Sequence, residues 1–415
     1  MSPIVNLLMV LVIGFAGLTS INVSADQSIS PRTYKTLNDI QTLLAENKYS
    51  EVSKELKELE ENLSPGFGLA LTYQIHAQLF LAKEDSKNAL KYFNKALALD
   101  AMKAVQAVSL ATNVAQLHLA SDQVPQAISV LKPRIIAAEE EQPDSTTAMA
   151  FITLGSAYQL NKDYKNAVIW LKKGISRADK PRENWLQMLM ASHYQLKQYS
   201  SAISVLDQLI NINAGKEEYW LQQASLYQMM NKPKDALKVL QLANIQNVLV
   251  KENGLITLVQ LLIAEGIPER AGRVLLSLLE DKKIALTESN WKLLASAWLQ
   301  GRERQRAVEA FTQAAELSLK TTNSKKEAAN LYYRIAQIQF DGQDFSGAIS
   351  SFSKARELGI TGKKVGLSLL MQGNSFYELE NYQQAKVFFS KALKEPSSTN
   401  SAKAWIDYMQ QLELL

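Results

Sequence analysis

The sequence predicts an all-α fold, a solenoid of stacked helical hairpins. Three observations predict it. Small residues recur at fixed places beside large apolar ones, the recurrence has the length of a helical hairpin, and no stretch alternates polar and apolar residues as a strand would. The stretch "WKLLASAWLQGRERQRAVEAFTQAAEL" shows the pattern, with Trp291, Leu294, Trp298 and Phe311 beside Ala295, Ala307 and Ala314. A lone amphipathic helix needs no such placement of alanine. Two antiparallel helices do, because they approach to about 8–10 Å only where the crossing side chains are small.

The pattern repeats along the chain. Trp220, Tyr227, Ala236 and Ala243 stand at the offsets of Trp291, Trp298, Ala307 and Ala314. A third copy has Leu154, Gly155, Tyr158, Ala167, Leu171 and Gly174; a fourth has Gly373, Phe376, Ala385, Phe389 and Ala392. The alanine opening each second helix recurs at Ala89, Ala127, Ala167, Ala202, Ala236, Ala271, Ala307, Ala348 and Ala385, with Val52 in its place in the first unit. This spacing predicts about ten hairpins, with longer loops at 139–147 and 320–326. One hairpin cannot bury its apolar face alone, so stacked neighbours share a continuous core. Polar turns are expected at 160–164, 230–235 and 379–382, and Pro233 and Pro268 fall where a first helical turn tolerates proline. Pro133 is expected to break its second helix early. After the last hairpin, near 395, a short linker leads to a closing amphipathic helix over 401–415, with Ala404, Trp405, Tyr408, Met409 and Leu412 toward the core.

The first 25 residues contain no charged side chain, and an apolar run extends from Ile4 to Leu18 broken only by Asn6. The run is short for a membrane span, which needs about 20 apolar residues. Val23 and Ala25 occupy the positions a signal peptidase reads, so 1–25 is expected to be a secretory signal and 26–415 the solenoid. The expected location is periplasmic. An uncleaved segment anchoring the chain to the inner membrane is the alternative.

Composition excludes several chemistries. There are no cysteines, which removes disulfides, thiol catalysis, cysteine-bound zinc and a lipid-bearing cysteine. The net charge of +4 is spread along the chain, unlike the concentrated charge of a nucleic-acid binder. His76, His118 and His193 lie in different repeat units without metal-ligand spacing; His76 and His118 fall at inward-facing places. No phosphate loop, nucleophile elbow or paired-carboxylate motif is present. The reading is therefore non-catalytic, with no cofactor and no metal. The basic run "GRERQR" at 301–306 straddles an interhelical turn and reads as solvated surface.

These small and large positions resemble the tetratricopeptide repeat, a helix–turn–helix unit of about 34 residues. The resemblance implies a right-handed superhelix with a concave groove lined mainly by first helices. Carried onto this chain, the groove positions include Gln159, Ser225, Gln228, Lys292, Ser296, Tyr333, Gln337, Asn374 and Tyr377. Such a lining would bind an extended backbone or a partner helix. The Lys, Asn and Arg pattern of chaperone-binding members is absent. The exported start, the early "RTYKTLNDIQTLLAENKYSEV" hairpin and the central block from "ENGLITLVQLL" resemble the periplasmic repeat proteins encoded beside TonB–ExbB–ExbD genes. That resemblance implies an accessory role in TonB-dependent uptake, with TonB-system components or an outer-membrane receptor as partners. A scaffold for pilus, polysaccharide or outer-membrane-protein assembly is the alternative.

Overall fold

The computed structural model describes residues 29–321 and 324–414. Residues 1–25, the expected signal, lie outside them. The described residues form helices and no strands. They divide into two compact units, 1–213 and 214–415.

In the first unit five hairpins follow one another: α1 (Pro31–Ala45) with α2 (Tyr49–Asn62), α3 (Phe67–Ala82) with α4 (Ser86–Ala98), α5 (Ala104–Ala120) with α6 (Val124–Glu141), α7 (Ala148–Leu160) with α8 (Tyr164–Ser176), and α9 (Glu183–Gln195) with α10 (Tyr199–Ile212). The second unit holds α11 (Glu217–Met229) with α12 (Pro233–Ile245), α13 (Glu252–Ala264) with α14 (Pro268–Glu280), α15 (Glu288–Gln300) with α16 (Arg304–Thr321), α17 (Lys325–Asp341) with α18 (Phe345–Glu357), and α19 (Lys363–Glu378) with α20 (Tyr382–Ala392). Helix α21 (Thr399–Gln411) closes it. Within each unit every helix packs on its chain neighbours, and first helices also touch across hairpins, as α5 on α7 and α17 on α19.

One turn design makes all these hairpins. Each first helix ends at a residue in the left-handed region: Asn47, Glu84, Asp122, Lys162 and Lys197, then Asn231, Gly266, Arg302, Gln343 and Glu380, with φ from 55° to 73°. Each stands five residues before the alanine, or Val52, that opens the second helix. The next N–H reaches back to an orphan carbonyl of the first helix, as Asp163 N to Tyr158 O at 2.9 Å and Asp344 N to Gln339 O at 2.8 Å. That same residue then caps the second helix. Asp85, Asp163 and Asp344 accept the N–H groups of Asn88, Asn166 and Gly347. One residue thus satisfies two helix ends, which keeps the turn short.

The small positions sit at helix crossings, as their chemistry requires. Ala295, Ala307 and Ala314 are fully buried, and Leu294, Trp298 and Phe311 fill the space around them. A Cβ on Gly373 would fall 2.5 Å from the Phe389 ring, so α19 and α20 close to a distance only glycine permits.

Two expectations are corrected. Helix α6 runs through Pro133 to Glu141, absorbing the start of the expected loop at 139–147. Pro133 is exposed, so the carbonyl it frees meets water, and Arg134 Nη1 donates to the adjacent Val130 carbonyl at 2.9 Å. In α21 the buried residues are Ala402 and Met409, with Trp405 partly covered, whereas Ala404, Tyr408 and Leu412 are exposed. Trp405 decides the rotation by stacking on Phe389 at 5.5 Å, and α21 begins at Thr399, earlier than expected.

Candidate partner-binding face

Positions thirteen, ten, six and three residues before the left-handed turn residue share one face of each first helix, by helical spacing. The row six before the turn is Gln41, Gln78, Gln116, Ser156 and Ala191 in the first unit, and Ser225, Gln260, Ser296, Gln337 and Asn374 in the second. Most of these residues are half-buried. Only Ser225, Ser296, Gln337 and Asn374 of this row came from the sequence. The row emerges once the left-handed residue supplies the register.

The structure separates the predicted groove residues. Gln228 is exposed and Gln337 half-buried on this face. Gln159 is half-buried and donates to the Met188 carbonyl at 3.1 Å, tying α7 to α9. Lys292 pairs with Glu327 at 2.9 Å and Glu288 at 3.3 Å, tying α15 to α17. The hydrogen bond that Lys292 donates to Glu327 leads the influences that raise its pKa. Asn374 Oδ1 is buried without a donor. Tyr333 is a correction: it is 7% exposed, lies edge-on to Phe352 at 5.7 Å and packs among Ala329, Ala336 and Ala348. Burial raises its phenol pKa. Tyr377 is half-buried and packs against Trp405 of α21 at 5.1 Å.

A signal that sequence reading missed is charge. Helices α3, α5 and α7 contain no Asp, Glu, Lys or Arg, in a chain whose composition is 21% charged. Their partners α4, α6 and α8 carry Lys91, Lys132, Glu139, Lys165 and Lys172. A first helix without charge on any side is built to be covered on most sides.

The histidines are structural. His118 Nδ1 and His193 Nδ1 each meet a glutamine five residues on, Gln123 and Gln198, at 2.7 Å across the hairpin turn. His118 is half-buried, short of the inward place expected for it. His76 is buried, stacks on Tyr92 at 4.4 Å and lies 3.4 Å from Glu60, too poorly aligned for a hydrogen bond. Burial lowers the pKa of His76 and His193. Among the described residues no three His, Cys, Asp or Glu side chains gather as a metal site.

Two cavities lie away from this face. One of about 330 Å³ is lined by Glu139, Asp144, Phe151, Lys173, Ser176 and Arg177. Its guanidinium is already paired, with Glu139 at 3.0 Å and with Asp144. The other, about 780 Å³, lies along α4 with Lys87, Asn88, Lys91 and Asn94. Arg302, Arg304 and Arg306 are exposed, and Arg306 stacks over Trp298 at 4.8 Å. Among the described residues no helix is long and apolar enough to cross a membrane.

Comparison with known proteins agrees on the repeat. Residues 70–101 and 367–398 match tetratricopeptide repeat families. Residues 160–243 match the family described as anaphase-promoting complex, cyclosome, subunit 3. No curated protein matches. Solved structures similar to this chain include the C-terminal part of a repeat-containing protein from Cytophaga hutchinsonii, at 13% identity over 71% of this chain and 98% of that one, with a TM-score of 0.38. A tetratricopeptide repeat protein from Parabacteroides merdae is 15% identical over 64% of this chain and 99% of its own, with a TM-score of 0.33. The TPR2AB domain of yeast Sti1, in its pHSP90 complex, is 15% identical over 77% and 99%, with a TM-score of 0.30.

Proposed function

We propose that this chain, which carries tetratricopeptide repeats, is a non-catalytic protein-binding scaffold that acts in the periplasm as an accessory to TonB-dependent uptake. One observation carries the scaffold reading: the exposed and half-buried face of the first helices is poor in charge, while the second helices hold most of it. Depletion of charge marks the core of a binding interface, not a freely hydrated surface. The uncharged residues 1–25 support export, and the early hairpin and the central block from Glu252 support the TonB assignment by resemblance. The partners are then TonB-system components or an outer-membrane receptor.

Crosslinking in intact envelope under iron limitation, followed by recovery of the tagged chain, tests this. Recovery of TonB, its motor proteins or a receptor is the expected result. Recovery of pilus, polysaccharide or outer-membrane assembly components alone would move the scaffold to envelope assembly. A chain retained in the cytoplasm would remove the periplasmic assignment.

A further inference from the structure

The region from α18 to α20 repeats that from α2 to α4 with one charge reversed. Val52 to Ala89 and Ala348 to Ala385 are both steps of 37 residues, so positions 296 apart correspond. Phe80 stacks on Tyr92 at 5.4 Å, and Phe376 on Phe388 at 5.2 Å. Buried Thr72 and His76 correspond to buried Ser368 and Gln372. Lys95 lies 4.6 Å from the Tyr92 ring centre and Lys391 4.7 Å from that of Phe388. Glu60 stands 35 residues before Lys95 and pairs with it at 3.0 Å. The residue 35 before Lys391 is Arg356. An ion pair in the first unit is therefore replaced by two cations in the second.

Arg356 is half-buried, with Cζ 5.9 Å from the Phe388 ring centre, and its Nη1 donates to Ser368 Oγ at 3.0 Å. Ser368 is held in turn by the Val365 carbonyl at 2.7 Å, so it positions the guanidinium and leaves the other N–H groups of Arg356 unspent. Glu357, the next residue, pairs with Lys354 at 3.5 Å. Among the described residues neither Arg356 nor Lys391 is ion-paired. Burial lowers the pKa of Arg356, with Glu357 opposing. A half-buried guanidinium near an ammonium lacks the counter-charge that Glu60 gives Lys95.

We infer that Arg356 and Lys391 bind a phosphate dianion at the second helices α18 and α20. A carboxylate answers one of the two charges, whereas a phosphate group carries about −1.5 to −2 and answers both. The guanidinium fork matches two phosphate oxygens, and the exposed Lys391 ammonium turns to a third. The site is on second helices and is independent of the first-helix face.

Calorimetric titration of the full chain with inorganic phosphate at about pH 8, where the group is a dianion, tests the inference against acetate at equal ionic strength. One phosphate per chain is expected, bound at least about tenfold more tightly than acetate. Arg356→Glu restores the charge order of the first-unit pair; it is expected to fold and to weaken phosphate at least about tenfold. Lys391→Gln is expected to weaken it about threefold or more, and Glu60→Gln to leave it unchanged. Circular dichroism checks folding, and the exposed Lys391 position decides if Arg356→Glu does not fold. Glycerol 3-phosphate and vesicles of phosphatidic acid in phosphatidylcholine separate the sources. Binding of the soluble ester as tight as that of phosphate assigns a free phosphate ester, and binding to vesicles at least about tenfold tighter assigns a lipid headgroup. Absence of saturable phosphate binding, acetate bound as tightly, or binding indifferent to both substitutions overturns the inference.

Discussion

The two units use one hairpin design and fasten their first helices in different ways. In the second unit, carboxylates at helix starts reach the following repeat. Glu217 accepts the Lys251 N–H at 3.2 Å, and Glu252 accepts Asn290 Nδ2 at 2.8 Å and the Ala285 N–H at 3.3 Å. Lys292 with Glu327 adds an ion pair from α15 to α17. In α3, α5 and α7 of the first unit nothing ionic is available, and contact rests on apolar side chains and amides such as Gln116. Charge follows the same division: Lys and Arg balance Asp and Glu over 1–213, so the net +4 belongs to 214–415. The second unit thus adds charged contacts between its repeats, whereas the uncharged helices rely on apolar packing and neutral hydrogen bonds such as those of Gln116 and Gln159.

The contrast can be broken most forcefully in the core. Trp298 is 1% exposed and touches Gly272 of the preceding hairpin. Trp298→Ala is expected to cost about 3–5 kcal/mol. Hydrogen exchange is expected to rise in α13 to α18 and stay slow in α3 to α8; an equal rise in both sets would show that the units lack separate stability.

Acid sharpens it next, since every histidine lies in the first unit. Burial lowers the pKa of His76 and His193, so the unfolded chain binds more protons than the folded one as pH falls. Their contribution is fully present above the ordinary histidine pKa of about 6.5 and is lost as pH falls from there toward the folded values. Protection factors, which divide out the slower intrinsic exchange in acid, are expected to fall from pH 7 to pH 5 in α3 and α9 and to hold steady in α13 and α15. His193→Gln should flatten the response around α9, and an unchanged pH response there would refute the assignment.

The turns differ at one position. Gly266→Ala is expected to cost about 1 kcal/mol, because its φ of 73° suits glycine. Lys162→Ala in the first unit is expected to change little, since that turn already holds a side chain at φ 60°. Thermal denaturation of the two variants measures the difference.

Salt gives the smallest effect. Lys292 is 41% exposed at its side chain, so Lys292→Ala is expected to cost about 0.2–1 kcal/mol, falling toward zero at high ionic strength. Gln116→Ala in the first unit should show no salt dependence. A salt-sensitive Gln116→Ala would erase the proposed distinction between the faces.

The all-α hairpin design was legible in the chain alone, because that information is local. Crossing alanines such as Ala295 and Ala307, glycines such as Gly373 and the closing helix all follow from spacing within a few helical turns. The uncharged runs of α3, α5 and α7 were equally legible and could have marked the candidate face. Tertiary structure alone decided which polar groups remain for a partner. Gln159 finds the carbonyl of Met188 and Lys292 finds Glu327, a full repeat or nearly so along the chain, and no local pattern records either meeting. It also buried Tyr333 against Phe352 and turned Trp405 onto Tyr377 and Phe389. Helical spacing names the side of a helix a residue occupies, but the packing of the neighbouring hairpin settles whether that side is covered.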